Sequence, residues 1–318
     1  MRLIFMGTPA FALPSLDLLL KSGHTLCAVV TRPDRPQGRG KKLLYSPVKE
    51  WALTNTINIL QPERLKDKDF LRSIEALNPD LIITAAYGRI LPEEMLTMPP
   101  LGCINLHASR LPAYRGAAPI HRAVMEGASE TGVSIITMVP ELDAGDIIVQ
   151  QSEPIHISDT TGSLHDRLAA RGARLMLQAV EALAGGSASF MPQDPQAVTF
   201  TAPLQPGEEK LNWSLSTAAL HNQIRGMNPW PGAYTTFSGK RLKVWCSEPV
   251  SASGVAASKP GTVLAIKDDA MHVAAGDGTL AVLEVQPQGK RAMAAGDFCR
   301  GYRIEPGFKL GEQMESSQ

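Results

Sequence analysis

The stretch DLIITAAYGRILPEEMLTMPPLGCINLH, residues 80–107, holds two short apolar runs, LIITAA and CINL, and they decide the fold class. Both are strand-length, continuous rather than alternating, and bounded by turn formers, the pattern of strands covered on both faces. Working outward, RLIFMG (2–7) is a buried first strand that stops at Gly7, and HTLCAVVT (24–31) is a second. Between them LPSLDLLLKSG reads as a helix closed by Gly23 as its C-cap. A helix over 47–55, a short strand over 57–60 and a helix over 66–77 follow. Beyond the opening stretch come a strand, GVSIITMVP, a tight turn and returning strand in ELDAGDIIVQQ, and a helix over 163–183. Strands alternating with helices predict an α/β domain on a doubly wound, mostly parallel sheet.

The pattern then changes. AGGSASF and PQDPQ break it, and TAPLQPGEEK reads as a linker. The expected division is a first domain over 1–204, with the linker from about 185, and a second over 205–318. In the second, a helix over 216–225 precedes short strands with close turn signals, which predicts a small β-barrel. A length of 318 residues fits two cores.

Composition narrows the function. Hydrophobic residues make up 44% and charged residues 19%, as in ordinary soluble proteins. The 31 basic and 31 acidic residues cancel, so any polyanion must be met by a local patch. The four cysteines lie far apart with no C-x-x-C pair, which argues against a zinc site or a disulfide framework and fits a reducing cytosol. The N-terminus lacks a signal peptide's apolar core, and no apolar run is long enough to span a bilayer. A cytoplasmic protein without a membrane partner or a metal is expected.

GTPAFALPS after the first strand is neither G-x-G-x-x-G nor G-x-x-x-x-G-K-[ST], and reads as a packing turn. Asn105 and His107 are different. They lie two apart at the carboxyl end of a strand, so their side chains share a side at the edge where α/β sheets bind ligands. An imidazole moves protons near neutrality and an amide can donate to a developing oxyanion. A buried structural histidine explains His107 equally well from these residues alone. The third member would be an acid: Asp143 in ELDAGDI, where Gly145 permits a tight turn, with a plain turn aspartate as the alternative and Asp146 as a rival.

Two basic regions stand out. TRPDRPQGRGKKLLYS sets Arg32, Arg35, Arg39, Lys41 and Lys42 against Asp34 in a loop without periodicity, suited to phosphate contacts or to plain solvation. In the second domain Arg225, Lys240, Arg241, Lys243, Lys290 and Arg291 are set among Trp230, Tyr234, Phe237 and Trp245. That mixture suits an oligonucleotide face, or aromatics that belong to a core.

GCINLHASRLPAYRGAAPI followed by TGVSIITMVPELDAGDI resembles the core signature of the 10-formyltetrahydrofolate-dependent formyltransferases: N-x-H, S-x-L-P and a downstream D-x-G-D-I. FMGTPAFALPSL, TRPDRPQGRGKKL, SPVKEWA, LIITAAYGRILP, NPWPGAY and LEVQPQGKRAM resemble the branch of that family that acts on methionyl-tRNA, so the likeness runs to near residue 295. One departure is Arg110, where the family commonly has Leu; with Ser109, Leu111 and Pro112 in place, its side chain is expected to point outward and to change the pocket little. The resemblance implies a Rossmann-like first domain and a C-terminal barrel resembling an OB fold. It implies formyl transfer from 10-formyltetrahydrofolate to the α-amino group of methionine on initiator tRNA, with no metal, by a monomer. A relative acting on a small amine or on water is the alternative. By motif, Asn105, His107 and Asp143 would be catalytic. Ser109, Arg110, Leu111 and Pro112, with Tyr87 and Gly88, would hold the folate. Arg39, Lys41 and Lys42 would meet the acceptor stem, and Arg225, Lys243, Lys290 and Arg291 the tRNA backbone.

Overall fold

Continuous apolar runs become the centre of a sheet. In the computed structural model, which describes residues 1–37, 42–250 and 258–312, the strands are β1 (Arg2–Gly7), β2 (Thr25–Val30), β3 (Arg35–Gln37), β4 (Lys42–Leu44), β5 (Ile59–Leu60), β6 (Leu81–Ala85), β7 (Cys103–His107), β8 (Arg115–Gly116), β9 (Glu130–Thr137), β10 (Ile147–Pro154) and β11 (Phe200–Thr201). The main sheet has the order β10-β9-β7-β6-β1-β2-β5. From β7 to β5 every neighbouring pair is parallel, while β9 and β10 add an antiparallel edge. Reading β5-β2-β1-β6-β7 by chain order gives 3-2-1-4-5, a Rossmann-like arrangement whose ligand crevice lies beyond the strands' carboxyl ends. Every side chain of β6 is buried, and so are those of β1 after Arg2. Each large apolar side chain so buried contributes about 1.5–3 kcal/mol relative to exposure.

The helices of this part begin where their caps dictate. In α1 (Leu13–Leu20) a proline stands in the first turn. Ser46 caps α2 (Pro47–Thr54) by accepting the Lys49 N–H at 3.1 Å. Asp67 caps α3 (Lys68–Ala76) by accepting from Asp69 and Phe70. A short α4 (Glu93–Thr97) leads into β7, and α5 (Pro119–Met125) and α6 (Thr161–Ala184) follow. Gly23 is not the cap of α1: the helix ends at Leu20 with Lys21 in right-handed geometry, so no glycine is required there. Gly7 is a packing position, because a Cβ there would lie 2.9 Å from that of Ala12 and 3.0 Å from the Ala85 carbonyl. The basic loop differs from its aperiodic reading. β3 and β4 pair antiparallel, since a two-stranded ladder needs only backbone groups. Arg39 and Lys41 lie outside the described residues, and Lys42 is described only as part of β4.

The chain divides into two compact units. The first comprises Met1–Pro119, Glu130–Pro154 and His165–Ala202; the second comprises Ile120–Ser129, Ile155–Leu164 and Pro203–Gln318. In the second unit β12 (Tyr234–Phe237), β13 (Lys240–Val250), β14 (Val263–Lys267), β15 (Ala270–Ala274), β16 (Thr279–Pro287) and β17 (Met293–Ala294) form an antiparallel sheet of order β12-β13-β16-β15-β14, with β17 on β16. Residues 307–311 hydrogen-bond to both outer strands, through Val263 and Gly261 on one side and Thr236 on the other, which turns the sheet toward a barrel. Its core packs Phe298, from α8 (Ala295–Tyr302), with Leu220 and Ile224, from α7 (Thr217–Gly226), against Leu242, Val244, Val273 and Val282. Among the described residues no helix is long and apolar enough to cross a membrane.

Candidate active site

The carboxyl end of β7 brings Asn105 and His107 to the ligand-binding edge. Thr84, its neighbour across the ladder on β6, is nearly fully buried and donates its hydroxyl to Asn105 Oδ1 at 2.6 Å. That bond fixes the amide's rotation. Nδ2 is left as a donor with no protein partner among the described residues, on a half-buried side chain. Thr84 is a site residue that spacing did not single out. The signal available was its register opposite Asn105, which only the sheet order reveals.

His107 is 6% exposed and held at both nitrogens. Nε2 donates to the Tyr114 carbonyl at 2.9 Å, and Nδ1 lies 3.5 Å from Asp143 Oδ2. Asp143 Oδ2 also accepts the Gly116 N–H at 2.8 Å, while Oδ1 has no partner among the described residues. Asp146 instead meets Thr137 through its own backbone N–H and carbonyl. Asp143, the candidate, is therefore the acid set against His107, and its rival Asp146 is not. Gly145 matters for close approach: a Cβ there would sit 1.9 Å from the Thr137 carbonyl. The left-handed conformation falls on Asp143 itself, at φ 50°. Tyr114 (62°), Ala118 (53°) and Ala86 (49°) share it, and two of these strained residues, Asp143 and Tyr114, contact His107 directly.

The 109–112 turn is held by its own polar groups. Ser109 is fully buried and donates to the Ala113 carbonyl at 2.6 Å, while Ser134 Oγ donates to the Ser109 carbonyl and accepts the Leu111 N–H. Leu111 packs with Ile136 and Ile147, and Pro112, reached through a cis peptide, is half-buried. Arg110 turns to the surface and pairs with Glu130 at 3.2 Å, with more than half of its side chain exposed. Its guanidinium is engaged there, away from the side chains of the turn's interior. Tyr87 is buried in the core beside β6, and that burial pushes its phenol above the usual range. Gly88, at φ 73°, leaves room for the Arg32 guanidinium, which donates to the carbonyls of Tyr87 and Gly88. A ligand at these two positions would meet backbone groups.

Of the expected nucleic-acid contacts, Arg225 needs correcting. It is only 6% exposed and donates to the His156 and Asp159 carbonyls and to Asn222 Oδ1, so it holds the second unit together from within. An arginine on a helix reads as surface until its long-range partners are known. Lys243, Lys290 and Arg291 lie at the surface or partly so. Register puts Tyr234, Lys243 and Gln286 side by side on β12, β13 and β16. The Arg241 guanidinium stands 3.9 Å from the Tyr234 ring centre, Lys243 Nζ stands 4.8 Å from that of Trp245, and Trp245 Nε1 donates to Gln286.

The family described as Formyl transferase matches residues 1–180, and that described as Formyl transferase, C-terminal domain, matches residues 203–303. A protein named methionyl-tRNA formyltransferase from Moorella thermoacetica is 50% identical over 311 residues, covering 98% of this chain and 99% of that one. Its namesake from Bacillus subtilis is 45% identical over 317 residues, covering 99% of both. Among solved structures, HypX from Aquifex aeolicus in complex with tetrahydrofolic acid superposes with a TM-score of 0.66 at 18% identity, covering 96% of this chain and 48% of that chain. WlaRD, a sugar 3N-formyl transferase, superposes with a TM-score of 0.65 at 18% identity, covering 92% and 99%. At that identity both share the fold.

Proposed function

The chain belongs to the formyl transferase family, and from that premise we propose that it moves the formyl group of 10-formyltetrahydrofolate onto the α-amino group of methionyl initiator tRNA. The observation that carries the chemistry is the convergence of Asn105, His107 and Asp143 at one strand edge. Two observations support the choice of acceptor. Relatives with the methionyl-tRNA name match over nearly the whole chain, and the second unit carries a face of paired cations and aromatic rings. Such faces suit nucleic-acid backbone and bases, and a small acceptor needs neither. The basic segment with Arg39, Lys41 and Lys42 would add contacts to phosphate.

The reaction needs three services. Attack by the neutral amine on the formyl carbon places negative charge on the formyl oxygen. Asn105 Nδ2, held outward by Thr84, donates to it, a contribution of about 3 kcal/mol for one oxyanion donor. The amine must lose a proton, and Asp143 Oδ1 is available to take it while Oδ2 is fixed by Gly116. His107 lies between the Tyr114 carbonyl and Asp143, so its Nε2–H is directed to protein rather than outward. We therefore assign it to orienting Asp143, whose free oxygen takes the amine proton and passes it to the departing folate nitrogen, instead of to donating directly to the oxyanion. The amine is a sufficient nucleophile once positioned, so no acyl-enzyme is required. For the folate, the strained loop at Ala86 and Gly88 offers backbone groups, with the exposed Ile90 as an apolar surface for a flat ring.

The test is direct. With 10-formyltetrahydrofolate and methionyl initiator tRNA the protein yields formylmethionyl-tRNA. Formyl transfer to a small amine with none to the charged tRNA would overturn the choice of acceptor.

A further inference from the structure

Residues 185–204 read as a linker, yet one of them closes on the catalytic loop. Gln193 Nε2 donates to the carbonyls of both Asp143 and Gly145, each at 2.8 Å. Its Oε1 accepts from Nε and Nη2 of Arg115, at 3.0 and 2.8 Å. Among the described residues no other side chain donates to those two loop carbonyls. Its neighbours reinforce the arrangement. Met191 and Ile147 exchange backbone hydrogen bonds at 2.8 and 2.9 Å, and Thr199 Oγ1 accepts the Tyr114 N–H at 2.8 Å. This short run thus holds the loop that carries Asp143, and also the turn whose Tyr114 carbonyl faces His107 and whose Gly116 N–H faces Asp143.

We propose that Gln193 is a positioning residue of the formyl-transfer centre, acting through Asp143. Asp143 is a non-glycine residue at φ 50°, a conformation that persists only where surroundings over-determine it. A side-chain amide has two N–H groups, and Gln193 directs both at this one loop. Arg115 in turn fixes the amide's orientation, since its two N–H groups can be accepted only by the Gln193 oxygen. The chain from Arg115 through Gln193 to the Asp143 backbone sets where the carboxylate points. Gln193 itself touches no reacting group.

The inference rests on the reading of Asp143 as catalytic, and a double-mutant cycle separates the two. Gln193→Met and Gln193→Glu are made in the natural background and in Asp143→Asn. Met removes both donations and the Arg115 anchor. Glu keeps the anchor and turns an acceptor toward the two carbonyls, replacing donation by repulsion, and so reads the effect if the Met variant does not fold. We expect either to lower kcat about 10-fold, with KM for both substrates within about twofold of the natural enzyme, the scale for a misaimed group. In Asp143→Asn, whose rate is read in single turnovers, the same change should add less than a factor of about two. An unchanged kcat, or the same 10-fold loss in both backgrounds, would overturn the proposal. An Asp143→Asn enzyme with natural turnover would overturn the catalytic reading as well.

Discussion

Replacing Thr84 by Val removes one hydroxyl while keeping the branched shape of a buried strand residue. That hydroxyl lies 2.6 Å from Asn105 Oδ1 and is what keeps Nδ2 facing outward. Two bounds frame the effect. If the amide then rotates freely between two orientations, the productive population halves, a loss of about twofold. If it turns wholly the wrong way, the loss equals that of the donor itself, about 3 kcal/mol or 100-fold. A net hydrogen bond of about 1 kcal/mol corresponds to a bias of about 5:1 between the orientations, so losing it places the expected effect at the lower bound, about twofold. The assay is kcat at saturating formyl donor and charged tRNA, with thermal unfolding to check that stability falls by only about 1 kcal/mol. Thr84→Ser, which keeps the hydroxyl, should retain most of the rate. In an Asn105→Ala background Thr84→Val should change nothing further. Natural kcat in Thr84→Val, or a loss that persists without Asn105, would refute the argument that Thr84 acts by aiming the amide.

The remaining predictions concern the second unit. Reversing Lys243, Lys290 and Arg291 to Glu should raise KM for charged tRNA about 10-fold and flatten its salt dependence by roughly one power per lost phosphate contact, with folate binding unaltered; equal loss of both would make the face structural. Removing Arg225 should act differently, lowering stability before it affects tRNA use, because its partners are carbonyls of its own unit. His221 gives a pH signature. Burial holds its pKa below the usual 6.5, so on acidification the unfolded chain takes up the proton first. Stability should be level above about pH 7 and decline as pH falls through about 6.5. His221→Gln should flatten that slope in thermal unfolding between pH 7.5 and 5.5, and identical slopes would contradict it.

How much of this was legible in the sequence depended on whether a feature was local. The parallel sheet was, because strands such as LIITA are buried on both faces and carry no polar alternation. So was the pairing of Asn105 with His107, which follows from the two-residue repeat of a strand. Spacing alone did not choose between Asp143 and Asp146; the family motif pointed to Asp143, and the contact that sets it against His107 comes from a loop whose course spacing leaves undetermined. The outward course of Arg110 was legible from the intact motif around it, but its partner Glu130, on another strand, was not. Gln193 lay in a run of breakers, where proline and glycine suggest only the lack of regular structure. Segments 120–129 and 155–164 join the second unit through partners more than sixty residues away. Thr161 donates to the Gly226 carbonyl and Arg225 to that of His156, and no local pattern announces such pairs.

The most direct test of the account is a single-turnover formylation with Asn105→Ala and Asp143→Asn, each saturated with formyl donor and methionyl initiator tRNA. Formylmethionyl-tRNA should appear about 100-fold or more slowly in each, with tetrahydrofolate binding retained. A folded variant of either kind that transfers the formyl group at the natural rate would contradict it.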